Sequence, residues 1–170
     1  RERELVLGQD GQGQALPLPG QTVVEKLEAV AVEKGGELAI VAADASLTYD
    51  DLMKRANRLA NGLLANGGAG RNRPVAVLLE RDSWMLPALL AVLKAGSAYV
   101  PIDPSYPPQR ISFMLRDSGC AAVLTASNLA GKLPSDWQGK RLDVRELDSG
   151  HSPSRPAASP GMEDMAYIIY

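Results

Sequence analysis

The sequence predicts an α/β fold: a largely parallel βαβ-type sheet with flanking helices. Three observations carry that expectation. From Pro74 onward, apolar strand-type runs alternate with amphipathic stretches in the order strand, helix, strand, helix, strand. The first of these runs, residues 75–79, is apolar without a break, as in strands covered on both faces. The 170 residues are 45% apolar and 22% charged with a net charge of −2, a balance that buries a core and leaves no basic excess for phosphate backbones.

Each element has a local reason. Residues 8–20 are rich in Gly, Gln and Pro without periodicity, so residues 1–20 read as a linker and the globular part begins at Gln21. Thr22 and Glu25 form a capping box before the stripe Val23, Leu27 and Val30, and Gly35-Gly36 ends that helix. Residues 37–42 are β-type, and Asp44-Ala45 is a hairpin turn into Leu47-Thr48-Tyr49. Thr48 and Asp51 repeat the capping pattern. The helix they open has apolar positions 49, 52, 53, 56, 59, 60, 63 and 64, which leaves Arg55, Arg58 and Asn61 as a solvated face.

After the strand at 75–79, Ser83 is the expected cap of an apolar helix over 84–95, with Pro87 in its first turn and Gly96 as a left-handed stop. Residues 98–102 form the next strand. Pro107 and Pro108 start a helix that turns Ile111, Met114 and Leu115 inward and stops at Gly119. Residues 120–124 are a third strand. A short helix over 126–133, a short strand over 141–144, a Pro/Ser-rich loop over 149–161 and a β-type run over 165–170 complete the reading. A buried-type strand with no partner element after it suggests a longer natural protein.

Residue chemistry is sparse. One cysteine and one histidine make neither a disulfide framework nor a Cys/His zinc site, and the counts fit a cytoplasmic protein. His151 reads as an exposed loop residue, and Cys120 as a buried, inert thiol opening a strand. Asp50-Asp51 suits a helix N-terminus, and Asp103 a turn in which it accepts local backbone hydrogen bonds. The glycines at 67, 68 and 70 follow a helix rather than a strand, so they make no phosphate loop. The longest apolar run, 84–93, is about half of the ~20 residues a bilayer crossing needs.

Three stretches resemble one family. Leu47-Thr48-Tyr49-Asp50-Asp51-Leu52 is similar to the first core motif of nonribosomal peptide synthetase adenylation domains, where Glu is commoner at the fifth position. Residues 93–111, with Lys94-Ala95-Gly96, Tyr99-Val100-Pro101-Ile102-Asp103-Pro104 and Tyr106-Pro107-Pro108, resemble the second motif along its full length. Ala166-Tyr167-Ile168-Ile169-Tyr170 resembles the strand before the third motif, a phosphate loop expected just after Tyr170. Glu2-Arg3-Glu4-Leu5 is similar to sequence that follows a condensation domain.

The resemblance implies that residues 21–170 are the N-terminal part of the large domain of an adenylate-forming enzyme. Such a ligase activates an amino acid with ATP and Mg²⁺, releases pyrophosphate and passes the acyl group to phosphopantetheine on a carrier domain. It further implies a peptidyl carrier domain, an upstream condensation domain and a small MbtH-like protein as partners, in antibiotic or siderophore biosynthesis. It assigns no catalytic, cofactor-binding or metal-binding residue to residues 1–170, so this chain alone is expected to be inactive. Two alternatives stand beside it: another adenylate-forming ligase (a D-alanine–carrier ligase or an acyl-CoA synthetase), or a non-catalytic scaffold docking through residues 1–20.

Overall fold

A computed structural model describes residues 20–170. The linker expected over residues 1–20 falls almost wholly outside the described residues. Helix α1 (Val23–Lys34) opens on the Thr22/Glu25 capping box, in which Glu25 accepts from the Thr22 amide at 2.7 Å and Thr22 Oγ1 accepts from the Glu25 amide at 3.2 Å. Strands β1 (Leu38–Val41) and β2 (Ser46–Thr48) form an antiparallel hairpin closed by the Ala42 amide on the Ala45 carbonyl, 3.0 Å. Helix α2 (Tyr49–Ala65) starts on the second capping box, Thr48/Asp51.

The main sheet follows as the sequence predicts. Strands β3 (Pro74–Leu78), β4 (Ala98–Ile102), β5 (Ala122–Thr125) and β6 (Lys140–Asp143) lie in the order β4-β3-β5-β6, all parallel. Helix α3 (Met85–Lys94) connects β3 to β4, and α4 (Pro108–Asp117) connects β4 to β5. The period-2 pleat sends alternate residues to opposite faces. Val75, Val77, Ala122 and Leu124 pack against α2, α3 and Leu147, whereas Ala76, Leu78, Val100, Ile102 and Val123 meet Ile111, Met114 and Leu115 of α4. A third cluster, Val24, Ile40, Leu47, Leu52, Ala56 and Leu90, seats the hairpin and α1 on the α2–α3 layer. No helix among the described residues is long and apolar enough to cross a membrane.

Several expectations need correction. Ser83 does not cap α3. Its amide and hydroxyl both donate to Asp44 of the hairpin, at 3.0 and 2.7 Å, and a charged acceptor outcompetes the local helix end. Asp82 instead takes the Trp84 amide at 2.9 Å. Cys120 precedes β5 rather than opening it, because Gly119 (φ +65°) and the turn closed by the Cys120 amide on Leu115 still belong to the stop of α4. The strand expected over 141–144 ends at Asp143, which caps a helix absent from the sequence reading, α5 (Val144–Gly150). The short helix expected over 126–133 is present, as a 3₁₀ helix over Ser127–Lys132.

The face of α2 expected to be solvated is covered. Arg58 pairs with Asp148 of α5 at 3.4 Å, and Asn61 donates to the carbonyls of Ser152 and Ser154. The Arg55 guanidinium stacks 4.1 Å from the centre of the Trp84 ring. Gly62 leaves room for a close approach of α2 and α5, since a Cβ there would lie 2.7 Å from Leu147 Cδ2.

Finally, the β-type run over 165–170 makes a single parallel bridge, Tyr99 to Tyr167, rather than a full strand. The Tyr99 amide donates to Ala166 and the Ile168 amide to Tyr99, at 3.1 and 3.0 Å. The next donor toward this segment belongs to residue 101, which is proline and has no N–H. The ladder stops there for want of a hydrogen.

Candidate functional site

Open parallel sheets hold ligands outside the carboxyl ends of their strands. In this chain those ends enclose a cleft of about 410 Å³, whose lining includes Glu80 and Arg81 after β3, Asp103 and Pro104 after β4, and Ile169 and Tyr170. Asp103 behaves as predicted. It accepts the Ser105 amide at 2.8 Å, and the Ser105 hydroxyl and amide hold its carboxyl below the usual range. The Arg110 guanidinium sits 4.9 Å from the Tyr106 ring centre.

Residues 161–170 run to this cleft along the free edge of β4, held at four places. Arg71 pairs with Asp164 at 2.8 Å, and Asp164 also accepts the Gly161 amide, so its carboxyl is held low. Asn72 Oδ1 accepts the Met165 amide at 2.9 Å, and Asn72 is the single non-glycine residue with positive φ (+55°) among the described residues. Tyr99 makes the bridge described above, and its ring lies 5.7 Å from that of Tyr167. At the far end, the Tyr170 hydroxyl donates to Asp117 Oδ2 at 2.6 Å, while its ring meets Phe113 edge-on at 5.8 Å. Partial desolvation and the Asp117 carboxylate push the Tyr170 phenol up to about 12.

Arg71, Asn72, Asp117 and Asp164 take these roles without standing in any of the sequence motifs above. No local signal marks them, because their partners lie 53 to 93 residues away. A second concavity, about 790 Å³, runs between α4 and the 3₁₀ helix past the exposed Phe113 ring.

The other singled-out residues are engaged structurally. Cys120 is 6% exposed, and burial pushes its thiol up, away from the reactive thiolate. His151 is half-buried rather than exposed, at the C-terminal end of α5, with Nδ1 3.1 Å from the Leu147 carbonyl. Asp51 caps α2, with the Thr48 hydroxyl and amide holding its carboxyl low. Asp143 caps α5: burial pulls its carboxyl up, but the Ser127 hydroxyl and the Arg145 and Glu146 amides outweigh that. Among the described residues, no three His, Cys, Asp or Glu side chains are grouped to hold a metal ion. The arrangement is a framework that delivers a chain segment to a cleft.

Comparison with known proteins places this framework. The family pattern described as AMP-binding enzyme matches residues 27–170. The chain is 43% identical over 137 residues to tyrocidine synthase 3 of Brevibacillus parabrevis, covering 79% of this chain and 2% of that protein. It is 39% identical over 150 residues to gramicidin S synthase 2 of Brevibacillus brevis, covering 88% of this chain and 3% of that one. Among solved structures, the nonribosomal peptide synthetase FmoA3 with alpha-methyl-L-serine-AMP bound superposes with a TM-score of 0.88 at 29% identity, over 100% of this chain and 19% of the other. This chain thus spans a small part of the relatives it matches. A parallel sheet with this strand order, matched by the family pattern from Leu27 to the end of the described segment, shows that the chain belongs to the AMP-binding enzyme family.

Proposed function

We propose that residues 21–170 are the N-terminal part of an amino-acid-activating adenylation domain of a nonribosomal peptide synthetase, with its phosphate loop C-terminal to Tyr170. The parent protein forms an aminoacyl adenylate from an amino acid and ATP, releases pyrophosphate and loads the phosphopantetheine of a carrier domain. The observation that carries this is the family match over 27–170 on a sheet whose edge segment leads into the cleft at the strand ends. Relatives named for tyrocidine and gramicidin S synthesis favour an amino-acid ligase over an acyl-CoA synthetase or a non-catalytic scaffold.

The described residues do not themselves fit ATP and Mg²⁺. Asp44, Asp51, Asp103, Asp143 and Asp164 are each committed to a hydroxyl or to nearby amides of the fold. Bound elsewhere in the parent domain, the nucleotide and metal would supply the activated phosphoryl group and offset its charge. The role left to this chain is support of the segment that enters the site. Residues 1–20 are proposed as the linker from a condensation domain. A carrier domain and an MbtH-like protein are proposed partners in a cytoplasmic assembly line.

Amino-acid-dependent exchange of pyrophosphate into ATP tests the reading. Each aimed phosphate donor is typically worth ~10²–10³ in rate, so residues 1–170 alone should show no exchange. The complete domain should exchange with one or a few amino acids. Exchange by residues 1–170 alone would place the chemistry inside this chain and overturn the assignment; silence of the complete domain with every amino acid would remove the ligase.

A further inference from the structure

We propose that the Tyr170–Asp117 hydrogen bond replaces the ladder bond that Pro101 cannot make, and that Asp117 is therefore a positioning residue for the chain leaving the edge of β4. The ladder beside β4 consists of two bonds, both at Tyr99. One step further along, Pro101 presents no donor, so from Ile168 onward β4 offers no further amide to hold the segment. Side chains take over on the face that packs against α4. Ile168 packs on the Val100–Met114 cluster, and Tyr170, two residues on and so on the same face, reaches Asp117 at 2.6 Å with its ring against Phe113. Asp117 forms no ion pair among the described residues, which leaves its carboxylate to this phenol. The direction in which the backbone leaves Tyr170 is then set by a side-chain contact to α4, across the sheet edge.

The catalytic consequence rests on the reading that the residues after Tyr170 contact phosphate in the parent domain. The structural claim stands without it, so the test has two arms, both in the complete adenylation domain. Hydrogen exchange reads the anchor directly. Asp117→Ala and Tyr170→Phe should each speed exchange of the amides at 167–170 roughly three- to tenfold, the effect of losing one hydrogen bond to a charged group at a partly exposed site. Asp117→Asn keeps an acceptor oxygen and should restore most of the protection. The double variant should be no worse than either single one, and adding Pro101→Ala, which returns the missing donor, should recover part of the loss.

In the pyrophosphate-exchange arm, the same variants should lower kcat or raise the KM for ATP by a similar factor, leaving the KM for the amino acid within about twofold. A merely structural contact would lower the melting temperature without that split and without rescue by Pro101→Ala. Unchanged amide exchange at 167–170 in both single variants overturns the anchor whether or not the protein adenylates. A domain silent for every amino acid removes the ligase reading while the amide-exchange arm still decides the anchor.

Discussion

At Gly96 the backbone requirement can be separated from packing. The residue has φ +74°, and a Cβ built there meets nothing within 4 Å. The Gly96 amide closes on the Leu93 carbonyl and the Ser97 amide on Val92, so the chain must turn left-handed to leave α3 and enter β4. Gly96→Val should therefore cost ~1–2 kcal/mol through the backbone alone, roughly 2–8 °C in melting temperature for a domain of this size. Gly36 is the internal control, because it too has open space but an ordinary φ. Gly36→Ala should leave the melt within ~0.5 kcal/mol of the parent, and equal losses at both positions would refute the left-handed assignment. The sequence allowed Gly96 to be identified because a stop between an apolar helix and an apolar strand has few other solutions. Asn72 takes its left-handed conformation in a turn closed by the Arg73 amide on the Gly70 carbonyl, but its hold on the Met165 amide, 93 residues away, has no local signature.

Between elements, one buried tie is hidden inside a helix pattern of the sequence. Lys94 in the last turn of α3 is 2% exposed and pairs with Glu28 of α1, and Glu28 also takes Arg155 from the loop after α5 at 3.1 Å. Removing one partner of a buried pair strands the other charge, whereas replacing the buried charge by an apolar chain of similar volume is often neutral. Glu28→Ala should thus destabilise by about 2–3 kcal/mol, and Lys94→Met by less than ~1 kcal/mol. Chemical denaturation of both variants checks this, and a Lys94→Met loss as large as that of Glu28→Ala would show the lysine charge itself to be stabilising. The same division between local and distant causes explains what the sequence disclosed. Capping boxes span three residues and β3 to β5 carry their own pattern, so those elements and their parallel order were legible. The cover over Arg58 and Asn61 was not, because it comes from residues about 90 positions later. Helix α5 was missed because its seven residues carry only one apolar pair at helical spacing, Val144 and Leu147. At the candidate site the cleft follows from strand order, but the hold on residues 164–170 depends on Arg71, Asn72 and Asp117, which no local motif marks.

Across the whole molecule, acid should undo the connections before it reaches the core. The carboxylates with lowered pKa include those that join separate parts: Asp44, held low first by the Ser83 hydroxyl, ties the hairpin to the entry of α3; Asp143 joins the 3₁₀ helix to α5; Asp164, held low by the Gly161 amide and the Arg71 guanidinium, straps the terminal segment. A carboxyl whose folded-state pKa lies below its unfolded value contributes stability above the unfolded pKa, about 3.9 for Asp, and loses it as pH falls through the folded-state value. The core clusters beneath these ties, including Leu59, Leu63, Val75 and Leu124, carry no carboxyl group. Melting temperature should therefore stay nearly level from pH 8 to about 5 and fall progressively below about pH 4. Replacing Asp44, Asp143 and Asp164 together by Asn should lower the neutral-pH plateau and flatten the acid limb, since the groups that take up protons on unfolding are gone. A triple variant with an acid limb as steep as the parent's would assign acid sensitivity to other carboxylates. At high pH the sign reverses for Cys120, Tyr99 and Tyr170, whose raised pKa values make their contribution full below the unfolded values and lost as pH rises through the folded ones, near 12 for Tyr170. Asp117→Ala removes the hydrogen bond and charge that help raise the Tyr170 value, so its phenol should ionise earlier in an alkaline absorbance titration while Tyr99 is unaffected.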